Sequence, residues 1–130
     1  KFKPVISEDH TPAQAKKIKR LVFCSGKIYY DLIDYRDKNK VEGISIVRLE
    51  QLYPLHKPQL EEIVAKYPGA EKVWVQEEPG NMGAWTYINA KLPEFGFRSI
   101  ARRISASPAT GFKKVHDENQ ERIVREAMTL

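Results

Sequence analysis

The chain has 130 residues, of which 42% are hydrophobic and 30% charged, and its 22 Lys and Arg outnumber 17 Asp and Glu for a net charge of +5. That length suits one domain, since roughly two thirds of the unfolded surface is buried at this size and a real core needs no staples. A single cysteine excludes a disulfide scaffold, and the composition excludes both a disordered tail and a membrane-spanning protein.

Residues 1 to 18 are polar, carry Pro4 and Pro12, and read as an extended lead-in or linker from an upstream domain, ahead of a single domain over 19 to 130. Leu21-Val22-Phe23-Cys24 is continuously apolar and stops at Ser25-Gly26, the pattern of a strand buried on both faces. Ile28, Leu32 and Tyr35 then recur at helical spacing until Asn39 and Gly43. Ile44 to Leu49 is a second strand. Leu60, Ile63, Val64 and Tyr67 define a second amphipathic helix, closed by Pro68-Gly69. Val73-Trp74-Val75 starts a third strand, and Gln76 to Trp85 reads as the loop that follows it.

Trp85, Ile88 and Leu92 mark a third helix, ended by Pro93 and Gly96. The fourth strand, Phe97 to Ile104, alternates Arg98, Ile100 and Arg102 with Phe97, Ser99 and Ala101, so it has a wet face or lies at an edge. A small-residue loop from Ser105 to Gly111 leads to a last helix that starts near Asp117, with Gln120 three residues on completing a capping pattern. Strands and helices alternating every ~25 residues predict an α/β fold, a mostly parallel sheet with helices on both faces.

The pI near 9.3 raises a nucleic-acid reading, with basic clusters at Lys16, Lys17, Lys19 and Arg20, at Arg98, Arg102 and Arg103, and at Lys113 and Lys114. Interspersed acids and the lack of a nucleic-acid-binding signature argue against it, so neither nucleic acid nor membrane is expected as a partner. The opening Lys1-Phe2-Lys3-Pro4 has no initiator methionine and no signal segment, which reads as a cut or processed chain. The unpaired Cys24 fits a reducing compartment, bacterial cytoplasm or a mitochondrial matrix.

In open parallel sheets ligands sit beyond the carboxyl ends of the strands. Ser25, Gly26 and Lys27 offer a turn, a helix N-terminus and an ammonium for an anion such as a nucleotide phosphate, although the plainer reading is a tight strand-to-helix turn. QEEPGNMGAW, residues 76 to 85, brings two carboxylates, two glycines, Asn81 and Trp85 together. The pair Glu77 and Glu78 suits a general acid and base or, more plainly, ion pairs across a domain contact. His10, His56 and His116 lack metal-ligand spacing, so no metal is expected. Cys24 reads as a buried small hydrophobe rather than a nucleophile.

LVFCSGKIYYDL, ISIVRLEQLYPL, KVWVQEEPGNMGAW and SASPATG, in this order over nearly the whole chain, resemble the C-terminal part of the thiamine diphosphate-dependent first component of the 2-oxoglutarate dehydrogenase complex. The resemblance implies a fold like the transketolase C-terminal domain. It also implies a parent enzyme of the tricarboxylic acid cycle, an oxidoreductase that decarboxylates 2-oxoglutarate and transfers the succinyl group to a lipoyl arm. Relatives acting on 2-oxoadipate share the same motifs.

On that resemblance, thiamine diphosphate and magnesium are bound by upstream domains of the parent homodimer, and this chain, lacking the family's GDG segment and its acidic ligands, binds neither and is inactive alone. Its implied role is assembly, with Glu77, Glu78, Asn81, Trp85, Ser105 and Ser107 at interfaces. The implied partners are the upstream domains, the second subunit and the lipoyl-bearing succinyltransferase component. The alternative is a nucleotide- or acetyl-CoA-binding regulatory domain. In the acetyl-CoA pattern of actinobacterial relatives the lysine and glutamine fall on Lys1 and Gln51, while the serine falls on Pro4. The arginine pair falls near Lys57, Pro58 and Gln59, where Lys57 supplies only a point charge. Most relatives also have glutamine at Met82.

Overall fold

The apolar run after Arg20 is the centre of the sheet. The computed structural model describes residues 3–102 and 112–130, without the side chains of 112–116. Its strands are β1 (Val5–Ile6), β2 (Arg20–Cys24), β3 (Ile44–Leu49), β4 (Glu71–Pro79) and β5 (Arg98–Arg102). Its helices are α1 (Pro12–Ala15), α2 (Ile28–Asn39), α3 (Lys57–Ala65), α4 (Trp85–Lys91) and α5 (Phe112–Ala127), with a 3-10 turn at Pro93–Phe95. The sheet runs β1-β3-β2-β4-β5; β1 pairs antiparallel with β3 and the other neighbours are parallel.

The pleat divides β2 between two cores. Leu21 and Phe23 join Trp74, Leu60 and Ile63 of α3, and Ile88 with Leu92 at α4. Val22 and Cys24 face the other way, onto Ile28 and Leu32 of α2 and Ile123, Val124 and Ala127 of α5. From Leu21 to Cys24 the strand is covered on both faces, which is why its sequence there does not alternate. Each fully buried Leu or Ile here contributes about 1.5–3 kcal/mol relative to exposure. The α/β class, the mostly parallel sheet and the helices on both faces agree with the sequence reading, and β5 lies at the edge, one of the two readings its alternation left open.

Four boundaries differ from that reading. Residues 5–18 are built into the fold rather than trailing ahead of it: Val5 and Ile6 pair with Leu49 and Arg48, and Val5, Ala15 and Ile18 are buried. Thr11 and Gln14 form a reciprocal capping box at α1. Strand β4 extends through Gln76 to Pro79 instead of ending at Val75, because its last residue still pairs with Arg102 across an irregularity in the ladder, a place where proline is tolerated. Strand β5 starts at Arg98 rather than Phe97. Helix α5 begins at Phe112, five residues before the expected cap at Asp117, whose exposed position lets a good capping residue sit inside a helix.

Arg20 does not belong to a basic surface. It is buried at the start of β2, donating through Nε to Glu71 Oε1 at 2.6 Å and through Nη1 to the carbonyls of Glu126, Ala127 and Thr129 at 3.2, 2.9 and 2.9 Å. The first two are carbonyls that the end of α5 leaves without an intrahelical partner and the third lies just beyond it, so one guanidinium ties that helix to the sheet. Arg98 shares the same carboxylate, with Nε 3.1 Å from Glu71 Oε2. Desolvation pushes the Glu71 carboxyl up, but the two guanidiniums hold it below its ordinary range.

Candidate functional site

From β2 the chain turns to β3 on one side, and from β3 it crosses to β4 on the other. The connecting helices α2 and α3 lie on opposite faces, so a crevice opens beyond the carboxyl ends of β2 and β4, where open α/β sheets place their sites. A cleft of about 450 Å³ occupies it, bounded by Ser25 and Gly26 after β2, Tyr53 after β3, Gln76 to Glu78 on β4, and Gly83.

Gln76 shapes this cleft. The side chain is buried, and its Oε1 accepts from the Trp74 indole at 2.9 Å and from the backbone N–H of Trp85 at 3.0 Å. Its Nε2 donates to the carbonyls of Pro79 at 2.9 Å and Met82 at 2.8 Å, with Glu78 O at 3.3 Å. One carboxamide thus replaces a strand partner for the whole turn, which a Met82 N–H bond to Pro79 O at 2.9 Å also closes. Gly83 completes it at φ +69°, since an added Cβ would lie 3.2 Å from the Glu78 side chain and 3.3 Å from Gln76 Nε2.

Sequence reasoning missed Gln76 as the organiser, although a polar residue directly after the buried Val-Trp-Val run was the signal. It also set Glu77 and Glu78 side by side, whereas neighbours on a strand point to opposite faces. Glu77 Oε1 accepts from Gln120 Nε2 at 3.0 Å, and the same amide reaches Asp31 Oδ2 at 2.7 Å, joining β4, α5 and α2. Glu78 is exposed on the Gly83 side. The two carboxylates therefore do not share a proton-transfer site. Asn81 is exposed in the turn, and Trp85 opens α4 half-buried against the first core.

Ser25 and Gly26 line the cleft, with Lys27 exposed ahead of α2 and making no side-chain cap. Gln51 is spent locally, its N–H donating to Pro4 O at 3.1 Å and its Nε2 to Pro54 O at 3.4 Å. Lys1, Ser105 and Ser107 lie outside the described residues. Cys24 is fully buried, and burial pushes its thiol up to about 12, so it is no nucleophile at neutral pH. His10 Nε2 lies 3.2 Å from Ser45 Oγ, and His56 precedes α3. Among the described residues no three carboxylate, imidazole or thiol groups gather as a metal site would require, and no helix is long and apolar enough to cross a membrane.

The family model for the 2-oxoglutarate dehydrogenase C-terminal region matches residues 1–128. The chain belongs to the 2-oxoglutarate dehydrogenase C-terminal family. It is 40% identical to a 2-oxoglutarate dehydrogenase E1 component of an Exiguobacterium species and 44% identical to that of Geobacillus kaustophilus, over 98% of this chain and 14% of each relative. A multifunctional 2-oxoglutarate metabolism enzyme of a Mycobacterium species is 42% identical over 98% of this chain and 11% of its own length. The chain thus spans about one seventh of the first of these relatives, and the resemblance read from its four motifs is that of the family that matches.

Proposed function

We propose that this chain is a C-terminal assembly domain of a 2-oxoglutarate dehydrogenase, supporting the decarboxylation of 2-oxoglutarate and succinyl transfer to a lipoyl arm without performing either. The family match over residues 1–128 carries the reading. The switch-point cleft supports it: its carboxylates diverge, its polar centre at Gln76 is consumed in holding a turn, and its nearest thiol is buried. That is the makeup of a shaped contact surface rather than of a proton-transfer centre. The proposed partners are the preceding domains of the full-length enzyme, its second subunit and the lipoyl-bearing component.

Thiamine diphosphate and magnesium belong, on this reading, to the preceding domains. Among the described residues no group of three or more carboxylates, imidazoles or thiols gathers in one place.

The test is a chimera. In the Geobacillus kaustophilus relative, the matched segment is either deleted or replaced by this chain, and 2-oxoglutarate-dependent reduction of an artificial electron acceptor is followed. Activity in the chimera and its loss in the deletion are expected. Full activity in the deletion, or an inactive chimera, would overturn the assembly role.

A further inference from the structure

The amino ends of the strands gather cations that the sequence scatters. Lys16, Lys17 and Lys19 lead into β2, and Lys38 and Lys40 stand at the end of α2, just ahead of β3. Gly43 joins the two stretches: its carbonyl accepts the Lys19 N–H at 2.7 Å, and a Cβ there would lie 3.6 Å from Lys17 O and 3.8 Å from Lys19 Cγ. Arg125 stands in the last turn of α5, the end that Arg20 holds at the start of β2. All these lysines and Arg125 are exposed. The described residues include all 17 Asp and Glu of the chain, and none of those carboxylates forms an ion pair with any of them.

Plainer roles absorb only part of this charge. The C-terminal ends of α2 and α5 carry about half a negative charge each, and Glu42 is the one carboxylate between Lys40 and β3, which leaves roughly four positive charges uncompensated. That is most of the net charge of +5, gathered at one end of the sheet. From it a groove of about 520 Å³ runs between α2 and α5, with Lys38 and Arg125 at its near end and Asp31, Asp34 and Glu121 at its far end. A polymer of one sign, such as nucleic acid, is drawn to the near end and repelled by the far one, whereas a polypeptide whose charge changes along its length suits both. The exposed rings on which bases stack, Tyr30 and Tyr53, lie at the opposite end of the sheet. We propose that the amino end of the sheet docks an acidic segment of another polypeptide, its carboxylates over Lys17, Lys19 and Lys40 and its continuation in the groove. The inference rests on the assembly reading, to which it adds the chemistry of a partner.

Fluorescence anisotropy of a labelled oligo-glutamate peptide, titrated with the 130-residue chain at low and at physiological salt, tests it. Saturable binding that weakens as salt rises is expected. Lys19→Glu combined with Lys40→Glu should weaken it about tenfold. Lys3→Glu combined with Lys27→Glu makes the same change in net charge at exposed positions of the opposite end and should weaken it less than about twofold. Circular dichroism and urea midpoints verify that each variant is folded. Should the reversed pair not fold, Lys19→Gln with Lys40→Gln takes its place, with a loss of about threefold expected. Absence of binding by the wild-type chain, equal losses in the two pairs, or tighter binding of a DNA duplex of matched charge overturns the acidic-peptide contact. The chimera experiment reads activity and not peptide binding, so the two readings fail separately.

Discussion

The side-chain carbonyl of Gln76 accepts the backbone N–H of Trp85, 3.0 Å away, and so fixes where α4 begins relative to the end of β4. The eight residues of chain between them are held by that bond and by the donors of the same carboxamide. Gln76→Leu would remove the partner of the Trp85 N–H, of the Trp74 indole and of the carbonyls of Glu78, Pro79 and Met82, of which Pro79 O keeps the Met82 N–H. A loss of about 2–4 kcal/mol in urea unfolding is expected, from the cost of buried groups left unsatisfied. A loss below about 0.5 kcal/mol would show that water replaces the amide at no cost.

Gly83→Ala tests the same turn from the other side. At φ +69°, with Glu78 and Gln76 atoms 3.2–3.3 Å from the new Cβ, strain and contact act together. About 1–2 kcal/mol of destabilisation should appear in thermal or denaturant unfolding, whereas Gly26→Ala, with open space at its Cβ, should show only the backbone cost.

Arg20→Met removes the group that joins Glu71 to the last carbonyls of α5. Arg20 is buried but Glu71 is exposed and keeps Arg98, so the loss comes mainly from the carbonyls at the end of α5 left without a donor, and about 1–3 kcal/mol is expected. Hydrogen exchange should rise first in the last turn of α5. Uniform loosening of all elements would argue against this local role.

Glu8 gives the fold a defined acid sensitivity. Its carboxylate accepts from Arg36 Nη1 at 2.6 Å, the Ile46 N–H at 2.7 Å and Ser45 Oγ at 3.3 Å, pinning the N-terminal segment to the edge of β3. Desolvation pushes its pKa up, but Arg36 and the Ile46 amide outweigh that and lower it. The unfolded chain therefore binds this proton more readily than the folded one. The stabilisation is present above the unfolded value of roughly 4.3 and lost as pH falls through the folded value. Urea midpoints of Glu8→Gln should fall less steeply than wild type below about pH 5, and identical slopes would assign the acid sensitivity to Glu71 and other carboxylates.

Cys24, with its thiol pushed up to about 12 by burial, should react with a thiol reagent at the rate of unfolding and not at the rate of an exposed cysteine. Labelling at neutral pH that is fast and insensitive to urea would contradict its place in the central strand.

The sequence alone determined what depends on local pattern: the α/β class, the buried central strand from Leu21 to Cys24, the helical faces at Leu32 and Leu60, and the family through four motifs in order. Apolar periodicity carries those features because each is set by which face a single element must bury. Tertiary structure decided the rest, because its causes lie far apart along the chain. Arg20 looked like one of four surface cations until its carbonyl partners 106 to 109 residues away came into place. Val5 and Ile6 read as a linker because two residues carry no period, and only the open edge of β3 makes them a strand. Glu77 and Glu78 look paired in one dimension, yet the pleat sends one to Gln120 and the other to the rim of the cleft, and Gln76 became the organiser only where the turn folded back over it.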